Sequence, residues 1–168
     1  APNPSSGDSC EIGGMLANNS SGASSVKYGL TSDYVEELTV VGQDCRPLTL
    51  RKLPLGDKTT NEFLGEHPEY RTILDLLQKN AEIIKNGWPR VKKNSAGYNL
   101  LQVVNDLEQG IFNLPALYIG SEGTLGLFLS VKLSLLPVPG KVLSYRLFFD
   151  SLEDAGKAVE PLLATGPS

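Results

Sequence analysis

The run Ile12-Gly13-Gly14-Met15-Leu16-Ala17-Asn18-Asn19-Ser20-Ser21-Gly22 constrains this chain more than any other stretch. It puts glycine, alanine, serine or asparagine at most positions where a larger side chain would hold a ligand off the main chain. Glycine has no Cβ and reaches positive φ at little cost, so backbone N–H groups in such a run can approach a phosphate or a planar ring. A short helix is expected over residues 13–20, beginning at the glycine pair with its free N–H groups facing a ligand. A second run, Ile119-Gly120-Ser121-Glu122-Gly123-Thr124-Leu125-Gly126, offers the same chemistry late in the chain. Together they read as two walls of one nucleotide-type site, provided the chain folds both turns onto the same rim.

Composition narrows the classes that remain. The 168 residues are 40% hydrophobic and 20% charged, the profile of a globular domain or of one domain plus a fragment of another. A net charge of −4 argues against a nucleic-acid surface, which needs clustered Lys and Arg. The short cluster Arg90-Val91-Lys92-Lys93 reads as a solvated loop. No apolar stretch is long enough to cross a bilayer, and Ala1 to Asp8 lacks the basic and apolar regions of a secretion signal. A cytoplasmic setting is the default reading, with peripheral membrane attachment left open. Cys10 and Cys45 lack metal-ligand spacing and are expected to be reduced thiols. His67 is the only histidine, so a Ser-His-Asp hydrolase or a histidine metal site has little to work with. Beside Pro68 at a helix start, it is expected to cap the helix or face solvent. No Gly-x-Gly-x-x-Gly follows a strand and no Gly-Lys-Ser/Thr loop occurs, so other nucleotide folds fit poorly.

Along the chain, residues 1–11 read as a turn-rich, extended entry, with Pro2 and Pro4 fixing φ. Residues 35–41 look like a strand, Gly42-Gln43-Asp44 its turn, and Cys45 to Leu50 the return strand of a hairpin. Residues 51–67 read as a surface excursion. From Pro68 to Asn86 the apolar spacing predicts one helix, stopped by Gly87. Trp88-Pro89 begins an irregular link, and the apolar run Leu114 to Ile119 leads into the second glycine turn. Leu127 to Leu136 reads as a strand ended by Pro137-Val138-Pro139-Gly140. Val142 to Phe149 is expected to form a further strand, followed by a helix that Ser151 caps and that runs toward Leu163. One strand and one helix after a proline break cannot bury both faces alone, so they read as the opening of a second, incomplete domain.

The segments Pro4-Ser5-Ser6, Cys10-Glu11-Ile12-Gly13-Gly14, Ala17 to Gly22, Gly97-Tyr98-Asn99-Leu100 and Ile119 to Gly126 occur in an order that resembles FAD-linked oxidases of the vanillyl-alcohol oxidase/p-cresol methylhydroxylase type. The branch that looks nearest holds D-lactate dehydrogenases, glycolate oxidase subunits and D-2-hydroxyglutarate dehydrogenases. The resemblance covers about residues 4–139. It implies an α+β fold, a mostly antiparallel sheet with flanking helices, matching the second FAD-binding subdomain of that family. Residues 1–139 would be the second half of the FAD-binding domain, and residues 140–168 the start of a truncated substrate domain. FAD contacts carried over from the family fall on Pro4, Ser5, Ser6, Asp8, Ser9 and Cys10. They continue on Gly13, Gly14, Ala17, Asn18, Asn19, Ser20 and Gly22, and on Gly120, Ser121, Glu122 and Gly123. Such residue types suit a flavin nucleotide, because amides, hydroxyls and carboxamides satisfy the cofactor's polar atoms and small side chains avoid it.

Residue by residue, alternatives stay open. Glu122 either orients loop amides, reaches the cofactor, or satisfies its own turn. Asn18 and Asn19 either touch flavin or brace the loop, Cys10 reads as a small buried residue, and Tyr98 either lines the site's mouth or packs. The family's first subdomain and most of its substrate domain, which brings the catalytic histidines, have no counterpart here. Residues 51–90 look longer than in the shorter members. The resemblance therefore implies part of a flavoenzyme that oxidises a 2-hydroxy acid and passes electrons to a quinone, cytochrome or iron–sulfur protein. It implies no catalytic residue and no metal ligand in this segment, which by itself would be inactive and hold FAD weakly or not at all. Self-association through an exposed apolar face is expected. A stand-alone interaction module derived from such an oxidase, or a reductase with the same cradle, are the rival readings.

Overall fold

In a computed structural model, which describes residues 2–91, 94–137, 140 and 143–166, the chain is an α+β fold built on a four-stranded antiparallel sheet. The first glycine run forms a short helix α1, Ile12–Ala17, followed by α2, Ser25–Tyr28, and a 3-10 turn, Thr31–Tyr34. The expected helix thus stops at Ala17, and Asn18 to Ser20 leave it with Asn19 at φ 46°. Strands β1, Val35–Val41, and β2, Pro47–Pro54, make the hairpin, in register from Val41 opposite Pro47 to Glu37 opposite Arg51. The return strand starts two residues later than expected, because Cys45 adopts φ 58° and prolongs the turn.

Beyond β2 the expected surface excursion is largely a helix, α3, Lys58–Glu66. Its Thr60 and Leu64 are buried and Phe63 packs on the core, so helical spacing was present but diluted by polar neighbours. The single helix expected over 68–86 is two: α4, Pro68–Lys79, and α5, Ala81–Gly87. Asn80 divides them. Its side-chain Nδ2 donates to the Leu76 carbonyl at 2.7 Å, and its own carbonyl accepts the Ile84 N–H, so it closes one helix and opens the next. His67 stands at the start of α4, yet its ring does not cap it; it packs 4.7 Å from the Phe63 ring, with Nδ1 3.4 Å from the Glu69 carboxylate.

Helix α6, Leu100–Glu108, strand β3, Ile111–Asn113, and helix α7, Leu114–Tyr118, follow the link. Leu100, Val103, Val104 and Leu107 recur at three- and four-residue spacing, which gives α6 one apolar face to lay on the core. Strand β4, Leu127–Leu133, pairs with β1, giving the order β3-β2-β1-β4. Leu38, Val40, Leu50, Val103, Phe112, Leu114 and Ile119 form the centre of the core. The opposite face of the hairpin is polar, with Thr39 bonded to Thr49 and Arg51 and Lys132 beside Glu37.

The segment 143–149 forms no strand. Its Tyr145 and Phe148 are 79% and 85% exposed, and it has no hydrogen-bonded neighbour among the described residues. A strand needs a partner to satisfy its backbone, and an apolar, aromatic run alone does not supply one. Val142, Lys92, Lys93, Val138 and Pro139 lie outside the described residues, so the expected basic cluster and domain boundary fall partly there. The final helix, α8, Leu152–Ala164, starts as expected, with the Ser151 hydroxyl accepting the Asp154 N–H at 3.1 Å.

In the core, the hydroxyls of Tyr70 and Tyr118 lie 2.7 Å apart, and burial pushes both above the ordinary phenol value of 10.0. A pKa raised in the folded state gives stability that is complete below the unfolded value and lost as pH rises through the folded one. Urea midpoints measured from about pH 9 to pH 12 should therefore fall steeply above about pH 10. A Tyr70→Phe/Tyr118→Phe double variant should show a clearly shallower fall; parallel slopes would refute the linkage.

Candidate functional site

The two glycine runs meet. The Gly120 N–H donates to the Leu16 carbonyl and the Glu122 N–H to the Ala17 carbonyl, both at 3.0 Å. The end of α1 and the second glycine turn are thus stitched together by main-chain bonds, which tolerate no sliding of one loop past the other. Close approach explains the glycine at 120. It sits at φ 85°, and a Cβ there would lie 2.9 Å from the Gly97 carbonyl oxygen and 3.4 Å from the Asn19 Cβ.

A third segment joins them. Residues Pro4 to Cys10 form consecutive turns, with the Gly7 N–H on the Pro4 carbonyl and the Ser9 and Cys10 N–H groups on Ser6. The chain leading into them passes across Gly22 so closely that a Cβ on Gly22 would fall 1.7 Å from the Asn3 carbonyl oxygen. The expected site residues therefore lie on three contiguous segments locked together through Gly22 and Gly120.

Their roles differ. Ser5, Ser6, Asp8, Ser9, Gly13, Gly14, Asn18, Glu122 and Gly123 are exposed, while Pro4, Cys10, Ala17, Ser20 and Gly22 are half-buried. Cys10 is therefore not the buried residue expected; its Sγ lies 3.9 Å from the Gly7 carbonyl. Asn19 braces: it is buried, and its Oδ1 accepts the Ser32 N–H at 2.9 Å. Glu122 holds φ 52°, a left-handed conformation that costs a non-glycine residue about 1–3 kcal/mol. Its N–H bond to Ala17 helps fix that geometry, and its exposed carboxylate bonds nothing among the described residues. It therefore does not satisfy its own turn.

Several donors at this junction are unsatisfied. The N–H groups of Ile12, Gly13 and Gly14 have no acceptor among the described residues, and a Cβ on either glycine would meet open space. Ser121 is 3% exposed, and its hydroxyl is buried without a partner. Buried hydroxyls are rarely left so, because desolvation without a hydrogen bond is costly. By contrast the amides of Asn18, Asn19, Ser20, Gly120, Ser121 and Glu122 are all spent within the loops, so they hold shape and do not bind. A groove of about 390 Å³ lined by Leu48, Arg51, Phe63 and His67 shares no residue with the junction.

Two residues omitted from the expected set also border it. The Thr124 hydroxyl donates to the Ser121 carbonyl at 2.6 Å, so in its 2.8 Å contact with Tyr98 the phenol must be the donor. Tyr98 belonged to the motif that carried the resemblance, and its ring is 42% exposed beside the turn.

Comparison with known proteins bears on what this junction is for. Residues 1–51 match the family described as FAD binding domain. The chain is 31% identical to D-2-hydroxyglutarate dehydrogenase of Pseudomonas putida over 175 residues, covering 99% of the chain and 17% of that protein. It is 32% identical to D-lactate dehydrogenase of Anaerostipes hadrus over 85% of the chain and 19% of that protein. To glycolate oxidase subunit GlcD of Escherichia coli it is 31% identical over 99% of the chain and 23% of that protein. Over most of its length the chain is thus similar to a part of each of these enzymes, and its first 51 residues carry the match to the FAD binding domain. It spans only 17% to 23% of the length of these relatives.

The residues of this FAD-linked segment fit its cofactor. FAD carries a diphosphate and a flavin ring rich in acceptors, and the junction offers free N–H groups, an orphaned hydroxyl and a surface kept bare by glycine. None of the expected contact residues is Lys or Arg, so charge on the diphosphate would meet amide dipoles and hydroxyls. Among the described residues no cluster of His, Cys, Asp or Glu could hold a metal, and no helix is long and apolar enough to cross a membrane.

Gly22→Ala should leave the sheet folded but dislodge residues 3–10, because the Asn3 carbonyl cannot yield the space a methyl needs. Limited proteolysis read by mass spectrometry is expected to gain cuts before Cys10, with an unfolding free energy lowered by about 1–3 kcal/mol. A cleavage pattern identical to the parent's would show that this packing does not hold the segment.

Proposed function

We propose that this chain is the FAD-holding segment of a dehydrogenase that oxidises a 2-hydroxy acid such as D-lactate, glycolate or D-2-hydroxyglutarate. The supporting observation is the stitched junction of the two glycine turns around the unpartnered Ser121 hydroxyl. When bound, FAD supplies the hydride acceptor. The chain's residues do the holding: Gly13 and Gly14 leave the N–H groups at the start of α1 uncovered, Ser121 offers a hydroxyl from within, and the exposed hydroxyls of Ser5, Ser6 and Ser9 line the rim.

The names of the relatives support the substrate class, and an electron acceptor such as a quinone, cytochrome or iron–sulfur protein follows from the same reading. Proton abstraction from the substrate is assigned to residues outside this segment, because the junction holds no histidine and no paired base. Residues 1–139 are read as FAD-binding and residues 140–168 as the opening of a substrate domain, in a cytoplasmic protein. The apolar side chains left bare after β4, among them Leu143, Tyr145 and Phe148, favour self-association of the isolated chain.

Two measurements test this. Gly13→Ala and Gly14→Ala should keep or slightly raise the unfolding midpoint, since alanine is favoured over glycine in a helix by about 1 kcal/mol. In equilibrium dialysis the same variants should lower FAD uptake severalfold, from a parent value that is already weak. Equal uptake by parent and variants would remove α1 from the cofactor site. Light scattering of the parent chain at high concentration should show a dimer or larger species, and a strict monomer would oppose the self-association reading.

A further inference from the structure

We propose that Tyr70, which lies in neither glycine run, is a positioning residue that sets the height of the second glycine turn through the hydroxyl of Tyr118; this rests on reading that turn as a wall of the flavin cradle. Tyr118 is the last residue of α7, and its carbonyl accepts the Ser121 N–H at 3.1 Å. One residue further, the Glu122 N–H reaches across to Ala17. The backbone end of Tyr118 is therefore the hinge of the turn, and its ring runs back into the core. There its hydroxyl meets that of Tyr70 on α4 at 2.7 Å, with the two residues 4% and 9% exposed, Tyr70 first.

A phenol is a rigid lever. A hydrogen bond at its tip fixes where its Cα sits, whereas an apolar contact would allow the ring to slide. All five residues of α7 are buried, so the helix has no free side into which a displacement could relax. Residues Tyr118, Ile119, Gly120 and Ser121 are buried consecutively, which carries the constraint into the turn where the unpartnered Ser121 hydroxyl sits. Burial keeps both phenols protonated, so the strut is neutral and constant across the physiological range. Helix α4 thereby joins the site without contributing an atom to it.

A hydroxyl pair that merely fills the core makes a different prediction from one that positions the turn. Tyr70→Phe alone strands the Tyr118 hydroxyl, whereas Tyr70→Phe with Tyr118→Phe removes both polar groups and should restore most of the lost stability. If the pair is only packing, loop order recovers with stability. If it positions the turn, the double variant regains its urea midpoint while the Ser121 and Glu122 amides exchange about tenfold faster than in the parent, with the β1–β2 ladder amides unchanged. Hydrogen exchange by NMR on the whole chain reads this directly. Parent-like exchange at Ser121 and Glu122 in the double variant overturns the proposal, and so does faster exchange spread evenly over the sheet.

FAD titration of the same proteins separates this inference from the one beneath it. Lower FAD uptake in the double variant, alongside faster turn exchange, supports both. Unchanged uptake with faster turn exchange leaves the strut standing and removes the turn from the cradle. Where the parent takes up no measurable FAD, the exchange rates alone decide the strut.

Discussion

Two main-chain hydrogen bonds, from Gly120 to Leu16 and from Glu122 to Ala17, hold the two glycine turns of this molecule together. They join segments that the sequence separates by the hairpin and by the four helices, α3 to α6, of the β2–β3 connection. Loops of that separation find each other only if the sheet and its helices first bring their anchors close. Leu16 and Ile119, the apolar neighbours of the two bonding sites, are both fully buried in the common core. Hydrophobic burial thus delivers the loops, and the backbone bonds fix their register. The division of labour suits the energetics: burial is strong but non-directional, and hydrogen bonds are individually modest but geometrically strict.

The amides near the junction fall into two populations. Those that hold the loops in shape are consumed internally, from Asn18 through Ser20 and from Gly120 through Glu122. Those at the start of α1 remain free, as does the Ser121 hydroxyl. A glycine-rich loop is often described as if every amide were available to a ligand. Here most of these amides are needed for the walls to stand, and a small minority stay free. Asn19 illustrates the first kind: its left-handed backbone and its bond to Ser32 make it a brace between α1 and the 3-10 turn.

What the sequence disclosed, and what it hid, follows from where each signal resides. The hairpin was legible because β1 alternates Leu38 and Val40 inward against Glu37 and Thr39, and because a glycine marks its turn. The pairing of the glycine runs was legible as a resemblance, since composition alone cannot say that two distant turns share a rim. The helix α3 was missed because Lys58, Thr59, Asn61 and Glu62 surround its few buried positions. Asn80 hid the break between α4 and α5, because a side chain that bonds back to Leu76 leaves the apolar spacing undisturbed. The segment 143–149 went the other way: its composition fits a strand, but strandedness belongs to a pair and not to a single run. Ser121 was named from the motif, yet its lack of a partner could emerge only from three-dimensional packing.

The absence of basic residues among the expected contacts has a physical consequence. A cradle of lysines would bind the diphosphate by charge, with an affinity that falls as salt rises. Amide dipoles and hydroxyls instead demand correct placement, because each contributes only at hydrogen-bond distance. Binding by such a surface is therefore sensitive to small displacements of its walls. That sensitivity gives meaning to the rigid supports behind the junction: the close contact at Gly22, the Gly97 carbonyl against Gly120, the Tyr98–Thr124 bond at the surface and the Tyr70–Tyr118 bond in the core. Each removes a way for the loops to move, and in a site that recognises by geometry, lost freedom before binding is affinity gained at binding.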